Sequence, residues 1–226
     1  MVKSVDKESQ QKILNKWLAI NYVNETNYDL LFKVIGGFAL VLAIVLFFYA
    51  KQIKLGKELE LLASTDSMTK LYNRRYFEDA AEQFLELARR NETDLSLIML
   101  DVDDFKKVND EYGHKVGDTL LINLAEILQS LSRKSDIICR FGGEEFITLL
   151  PHTNLKGANF MAEKIRTGIE EFALQLDNSS QLKFTVSLGA SQVNVLEDKN
   201  IEAVIKRADD ALYEAKNSGK NRVCLK

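Results

Sequence analysis

The chain has 226 residues, one proline and a net charge of −3. That length suits one domain of ordinary size plus an appendage, and the near-neutral balance gives no electrostatic footprint for a nucleic-acid partner. The two cysteines, Cys139 and Cys224, fit neither a metal spacing nor a disulfide framework, and their apolar surroundings predict small buried hydrophobes.

Residues 1–27 are polar and show no signal-peptide pattern. Ile13, Leu14, Trp17, Leu18 and Ile20 give a helical stripe within Gln11–Tyr22. Ile13 to Leu18 resembles the closing helix of periplasmic solute-binding sensor domains, which would make the segment the remnant or tail of a sensor. An amphipathic tail that packs on nothing fits the same residues. From Val34 to Ala50 no charge occurs, and counting from Leu30 gives about 21 residues, roughly 31 Å of helix. That matches a hydrocarbon core of about 30 Å, with Tyr28 and Tyr49 at the two interfaces and Lys33 able to snorkel. Lys51, Lys54 and Lys57 follow closely, so the positive-inside rule puts the C-terminal side in the cytoplasm and residues 1–29 outside it. The expectation is a single-pass protein of the bacterial inner membrane. Lys51–Ala63 reads as a helical stalk with Ile53, Leu55, Leu59 and Leu62 on its apolar side, the only route from outside to the domain inside.

Ser64–Lys226 reads as the cytoplasmic domain. Asp66 and Thr69 predict a cap before a helix running to Arg90. Leu95–Leu100 is almost wholly apolar, as a strand covered on both faces would be, and it ends at Asp101-Val102-Asp103-Asp104. A short helix follows with Phe105, Val108 and Tyr112 on one side. A loop over 113–118 opens a helix whose stripe is Leu120, Leu121, Leu124, Ile127, Leu128 and Leu131. Two apolar runs, 136–139 and 146–150, flank Gly142-Gly143 and read as a hairpin, where glycine supplies a permissive φ and lets a ligand approach the backbone. Adjacent Glu144 and Glu145 repel each other unless a cation or donor compensates; a solvated hairpin tip is the plain alternative. A helix over 155–174, a strand over 182–193, a helix over 201–217 and a strand over 222–225 complete the order α-β-α-α-β-β-α-β-α-β. The fold class is therefore α/β (α+β), a mixed sheet flanked by helices and preceded by one transmembrane helix.

Asp101 at a strand end and Glu144 on the facing hairpin offer hard oxygen donors with no His or Cys nearby, which suits Mg²⁺ or Mn²⁺. Such sites leave positions for substrate phosphates, so a nucleoside triphosphate is the expected partner. Lys106, Lys216 and Lys220 are candidates to hold the polyphosphate. Asn109 and Asp118 together offer the donors and acceptors that read a base edge.

Asp66-x-x-Thr69-x-Leu71-x-Asn73-Arg74-Arg75, then Asp101-x-Asp103-x-Phe105-Lys106-x-x-Asn109-Asp110 running on to Gly117-Asp118, then Gly142-Gly143-Glu144-Glu145-Phe146 stand at fixed spacings. Ser187-Leu188-Gly189 and Ala208-Asp209-x-Ala211-Leu212-Tyr213-x-Ala215-Lys216 complete a set that spans Ser64–Lys226. The arrangement resembles the diguanylate cyclase (GGDEF) family. The resemblance implies a fold similar to adenylyl cyclase catalytic domains and condensation of two GTP into cyclic di-GMP and two pyrophosphates by a homodimer. It implies a metal site at Asp101, the Val102 carbonyl and Glu144, guanine contacts at Asn109 and Asp118, and phosphate contacts at Phe105, Lys106, Lys216 and Lys220. Gly142 and Gly143 would let the nucleotide lie on the hairpin, and Glu145 would be a second catalytic acid. Lys220 stands where the family often has Arg, which turns a bidentate grip into a point charge. Arg133 and Asp136, in Arg-x-x-Asp five residues before the signature, resemble the family's inhibitory product site, with Lys164 aligned to an Arg that often completes it. A catalytically silent nucleotide-binding module is the alternative from a different class.

Overall fold

The computed structural model describes residues 6–18, 28–176 and 180–226, apart from the side chains of Leu55 and 57–63. The chain forms two compact units, Met1–Lys57 and Glu58–Lys226.

In the first unit, α1 (Lys7–Leu18) buries none of its residues. The predicted stripe position Ile20 and helix end Tyr22 lie outside the described residues. Helix α2 runs over Tyr28–Ser64 and includes the residues of both the expected span and the expected stalk. Its section Tyr28–Lys54, 27 residues, is long and apolar enough to cross a membrane, and none of it is buried. Lys33 Nζ pairs with Asp29 at 2.6 Å one turn away, both exposed. Of the predicted stalk stripe, Ile53 is exposed; the side chains of Leu55, Leu59 and Leu62 are outside those described.

The second unit is a six-stranded mixed sheet with helices on both faces. Its elements are β1 (Tyr72–Asn73), α3 (Arg74–Asn91), β2 (Leu95–Val102), α4 (Phe105–Tyr112), α5 (His114–Leu131), β3 (Ile137–Arg140), β4 (Glu145–Pro151), α6 (Leu155–Glu171), β5 (Leu174–Gln175), β6 (Gln181–Leu182), β7 (Val186–Gln192), α7 (Ile201–Asn217) and β8 (Val223–Leu225). The strand order is β1-β3-β4-β2-β7-β8, with β5 and β6 as a separate ribbon. The edge pairs β1–β3 and β7–β8 are parallel; the three inner pairs are antiparallel.

All eight residues of β2 are buried. Successive side chains point to opposite faces, so Ile98 and Leu100 enter one core with α4, α5 and α6. Leu97 and Met99 enter the other with Phe77, Leu85, Ala208 and Leu212 of α3 and α7. Two-sided cover, and not parallel pairing, makes the sequence of β2 mostly apolar, with Ser96 and Asp101 as its polar residues, since both its neighbours are antiparallel. Cys139 belongs to the second core, and burial pushes its thiol up to about 12. Cys224 is only partly buried, unlike the sequence expectation. Tyr112 is likewise exposed, while Phe105 and Val108 are buried.

The helix start expected at Asp66 lies eight residues later. Asp66 Oδ1 accepts Thr69 N–H (2.8 Å) and Thr69 O–H (2.7 Å), closing a turn. The true N-cap of α3 is Asn73, whose side chain accepts Tyr76 N–H at 3.0 Å. An Asx turn and a helix cap share the same local sequence signal, which explains the confusion. Only Gly113, at φ 84°, separates α4 from α5, where a loop to 118 was expected. The long strand predicted over 182–193 divides into β6 and β7. Helix α6 stops at Glu171, three residues short of the expected end, and β5 takes up the chain, with Leu174 and Leu182 buried opposite each other.

Candidate functional site

The hairpin β3–β4 brings Glu145 into register opposite Asp101 at the end of β2. Phe141 and Gly142 N–H both donate to the Glu145 carbonyl, at 2.8 and 3.2 Å, and so fix the turn. Neither Gly142 nor Gly143 occupies the left-handed region, so φ is not why they are glycines. A Cβ on Gly142 would stand 2.5 Å from Glu145 Oε2, whereas nothing lies within 4 Å of the same position on Gly143. The first glycine makes room for a carboxylate, and the second leaves the backbone open.

Arg140 holds the tip. Its Nε and Nη2 donate to the Gly143 carbonyl at 3.1 and 2.8 Å, and its Nη1 reaches Asp66 Oδ1 at 3.1 Å. The sequence reading gave this residue no role. The available signal was a rigid guanidinium fork directly before a glycine-rich turn whose carbonyls need donors.

Asp101 and Asp103 are both 6% exposed, yet their surroundings differ. Asp103 accepts Thr185 Oγ1 (2.7 Å), Ser187 Oγ (2.7 Å) and Asn221 N–H (3.0 Å). Asp101 Oδ1 has no directed hydrogen bond; Lys216 Nζ stands 2.7 Å away as an ion-pair contact. Burial, only partly offset by Lys216, raises the Asp101 carboxyl. Glu144 is raised by burial and then by the Asp101 charge. Glu145 is raised by burial, then by Asp101 and Asp209. All three carboxyls are raised although Lys216 stands against Asp101, so negative charge in the cluster is not fully offset, which is the condition a hard divalent cation relieves. Asp101 and Glu144 are hard oxygen donors of the kind that suits Mg²⁺ or Mn²⁺, and Val102, whose carbonyl is expected to join them, is the last residue of β2. Among the described residues no group of three or more His, Cys, Asp or Glu is placed to hold a metal ion. Glu145 also lines a cavity of about 590 Å³ with Arg74, Met99, Phe141, Ile205 and Asp209, which neither Asp101 nor Glu144 lines.

Asn109 and Phe105 of α4 meet the first turn of α5. A Cβ on Gly117 would fall 2.0 Å from Asn109 Oδ1 and 3.2 Å from Phe105 Cζ, so only glycine lets the Asn109 amide rest there. Asn109 is half-buried, and Asp118 and Lys106 are exposed beside it. Gly117 is a second residue to which the sequence reading gave no job. Lys220, at φ 61°, pairs with Asp104 at 2.7 Å. Lys107 and Lys220 hold the Asp104 carboxyl down at about 2.

At the other candidate site, Asp136 Oδ2 accepts the Arg133 backbone N–H at 2.8 Å. No ion pair joins the two side chains among the described residues. A cavity of about 380 Å³ lies alongside, lined by Arg133, Asp136, Thr65, Tyr72 and Gln129. Lys164 Nζ donates to the Leu131 carbonyl at 3.0 Å, two residues before Arg133.

The mixed sheet and its strand-end acids facing a Gly-Gly-Glu-Glu hairpin define a GGDEF domain, and residues 63–222 match the family described as diguanylate cyclase, GGDEF domain. The chain belongs to this family. It is 43% identical over 177 residues to diguanylate cyclase DgcM of Escherichia coli, covering 76% of this chain and 41% of that protein. It also resembles the GGDEF domain of DgcB from Caulobacter crescentus, solved with c-di-GMP, at TM-score 0.69 and 32% identity over 72% of this chain and 93% of that one. The active GGEEF domain of a diguanylate cyclase from Vibrio cholerae gives TM-score 0.63 and 35% identity over 68% of this chain and 96% of that one. The chain spans less than half the length of the curated relatives it matches.

Proposed function

We propose that the chain is a membrane-anchored diguanylate cyclase that condenses two GTP into cyclic di-GMP and two pyrophosphates. The observation that carries this reading is the buried Asp101 carboxyl near the end of β2, beside Glu144 and in ion-pair contact with Lys216. Asp101, the Val102 carbonyl and Glu144 would hold Mg²⁺ or Mn²⁺, which when bound supplies Lewis-acid charge to the triphosphate. Lys216 and Lys220, kept at the site by Asp101 and Asp104, contact the phosphates with Lys106. Asn109 and Asp118 read guanine, and Phe105 and Gly117 set the position of Asn109. Gly143 gives the nucleotide an open backbone. Glu145 is the second catalytic acid. Each domain binds one GTP. The 3′-hydroxyl of one attacks the α-phosphorus of the other, loses its proton and displaces pyrophosphate; the same exchange in reverse roles closes the ring. Tyr28–Lys54 spans the bacterial inner membrane, with Lys51, Lys54 and Lys57 on the cytoplasmic side.

The direct test is the full chain in nanodiscs, incubated with GTP and Mg²⁺ and assayed for cyclic di-GMP. Binding of GTP without product supports the silent module instead. Two half-sites also require a dimer, so residues 58–226 alone should show specific activity that rises with protein concentration. A parallel coiled coil fused in place of Lys51–Ala63 should lift the activity at low concentration through effective concentration. Constant activity per molecule far below the dimer constant contradicts this.

Arg133, Asp136 and Lys164 are proposed to bind cyclic di-GMP and to hold two domains with their active sites apart, giving non-competitive inhibition. The guanidinium of Arg133, free of the Asp136 carboxylate, presents a fork for phosphate and a guanine edge. Lys164 gives charge without that fork, which weakens binding by about 1 kcal/mol. Calorimetry of cyclic di-GMP should show a clear loss of affinity in Arg133→Ala; equal affinity removes the assignment.

A further inference from the structure

Helix α1 ends in an apolar stripe that no described part of the chain covers. Ile13, Leu14, Trp17 and Leu18 are 55%, 58%, 74% and 69% exposed. On a helix they share one arc of about 140°. Lys16 lies about 60° outside that arc and Lys12 on the face opposite it, and Glu8 is the helix's single acid against three lysines, Lys7, Lys12 and Lys16. Nine residues, 19–27, join α1 to the apolar section of α2 that begins at Tyr28. Ten Cα-to-Cα steps reach at most about 36 Å. If Tyr28–Lys54 crosses a bilayer, α1 is therefore held permanently within reach of that bilayer's surface.

We propose that α1 is an interfacial helix that lies on the membrane, with Ile13, Leu14, Trp17 and Leu18 in the headgroup–acyl boundary, Lys16 reaching to anionic headgroups and Lys12 on the water-facing side. Three features select lipid over a protein partner. The stripe is four residues long, far less than the roughly 800 Å² per partner that a stable protein interface buries. Its composition, Trp and Leu on one arc with Lys12 and Lys16 off it, is that of helices seated at a bilayer interface. The short tether keeps the lipid surface at high effective concentration, which no diffusing partner matches. Because a span alone fixes α2, this second anchor would seat the entry to the span and hold the chain on that side flat against the membrane. The inference rests on the reading of Tyr28–Lys54 as a span.

Trp17 is the only tryptophan in the chain, so its fluorescence reports this helix alone. The full chain is reconstituted in nanodiscs of neutral lipid with anionic phosphatidylglycerol. The expected result is blue-shifted Trp17 emission, strong quenching by lipids brominated near the top of the acyl chain, and iodide quenching several-fold weaker than for a free tryptophan amide. The paired change Leu14→Asp and Leu18→Asp should return Trp17 to water while the protein still resists alkaline carbonate extraction. Release of the unmodified chain by carbonate overturns the span, and this inference with it. Firm retention with Trp17 quenched by iodide as freely as the amide overturns the interfacial helix alone. Blue-shifted emission that brominated lipids do not quench means that protein covers the stripe, and overturns it too.

Discussion

Asp101→Ala is expected to lower cyclic di-GMP synthesis by about a thousandfold or more, the scale on which loss of a pre-organised charge at a reaction centre is felt, while the fold survives. The second half follows from its surroundings. Asp101 is buried, has one oxygen without a directed partner, and touches a lysine whose side chain is 34% exposed and can return to water. Its carboxyl is raised by burial, so the folded state favours the protonated form. Above the folded pKa the ionised group costs stability, and that cost disappears as pH falls through the same pKa. Removing the group thus relieves a penalty at neutral pH, and the melting temperature should shift by no more than a few degrees. Asp103→Ala is the control with the opposite outcome. It strips the partner from two hydroxyls and one backbone N–H in the same buried corner, at about 1–3 kcal/mol for each group left unsatisfied. Thermal melts beside the turnover assay separate the pair. Full activity in Asp101→Ala would refute the metal-site assignment.

Gly189→Ala should be the most destabilising small substitution in the domain, by about 4 kcal/mol or more. A Cβ at this position would stand 2.1 Å from the Ala208 carbonyl oxygen, 2.3 Å from Leu212 N and 2.9 Å from Ala211 C. All three are backbone atoms of α7, so no rotamer change can yield. The helix must lift off β7, and with it Ala208 and Leu212 leave the second core. Chemical denaturation of residues 58–226 reads this directly; a midpoint unchanged from the parent would mean that the β7–α7 contact is looser than it stands here.

Sequence patterns carried the regular elements and the site's carboxylates because both depend on residue type at fixed spacing. The apolar run 95–100 announced a doubly covered strand, and the strand-end Asp101 and the hairpin's Glu144 do lie near each other. What stayed hidden depends on distances between segments far apart in the chain. Gly189 reads as a soft spot in a strand until α7 is seen to lie on it. Gly117 reads as a loop residue until the Asn109 amide is found in its place. Arg140 needed Asp66, seventy-four positions away, before its fork made sense. The Asp66 turn was misread for a local reason, since a carboxylate that caps a turn and one that caps a helix look alike in sequence. Two acids two positions apart, Asp101 and Asp103, look interchangeable on paper and part company only through Thr185, Ser187 and Asn221.

The sheet has its shortest strands at its edges: β1 with two residues and β8 with three. A membrane anchor would crowd copies of this domain into a thin layer, where exposed ladders would invite strand-on-strand growth. Stubs of two and three residues offer too few free N–H and C=O groups to template an incoming strand. Any contact between copies in that layer would then fall to loops and side chains, and such contacts can be made and undone without seeding a fibril.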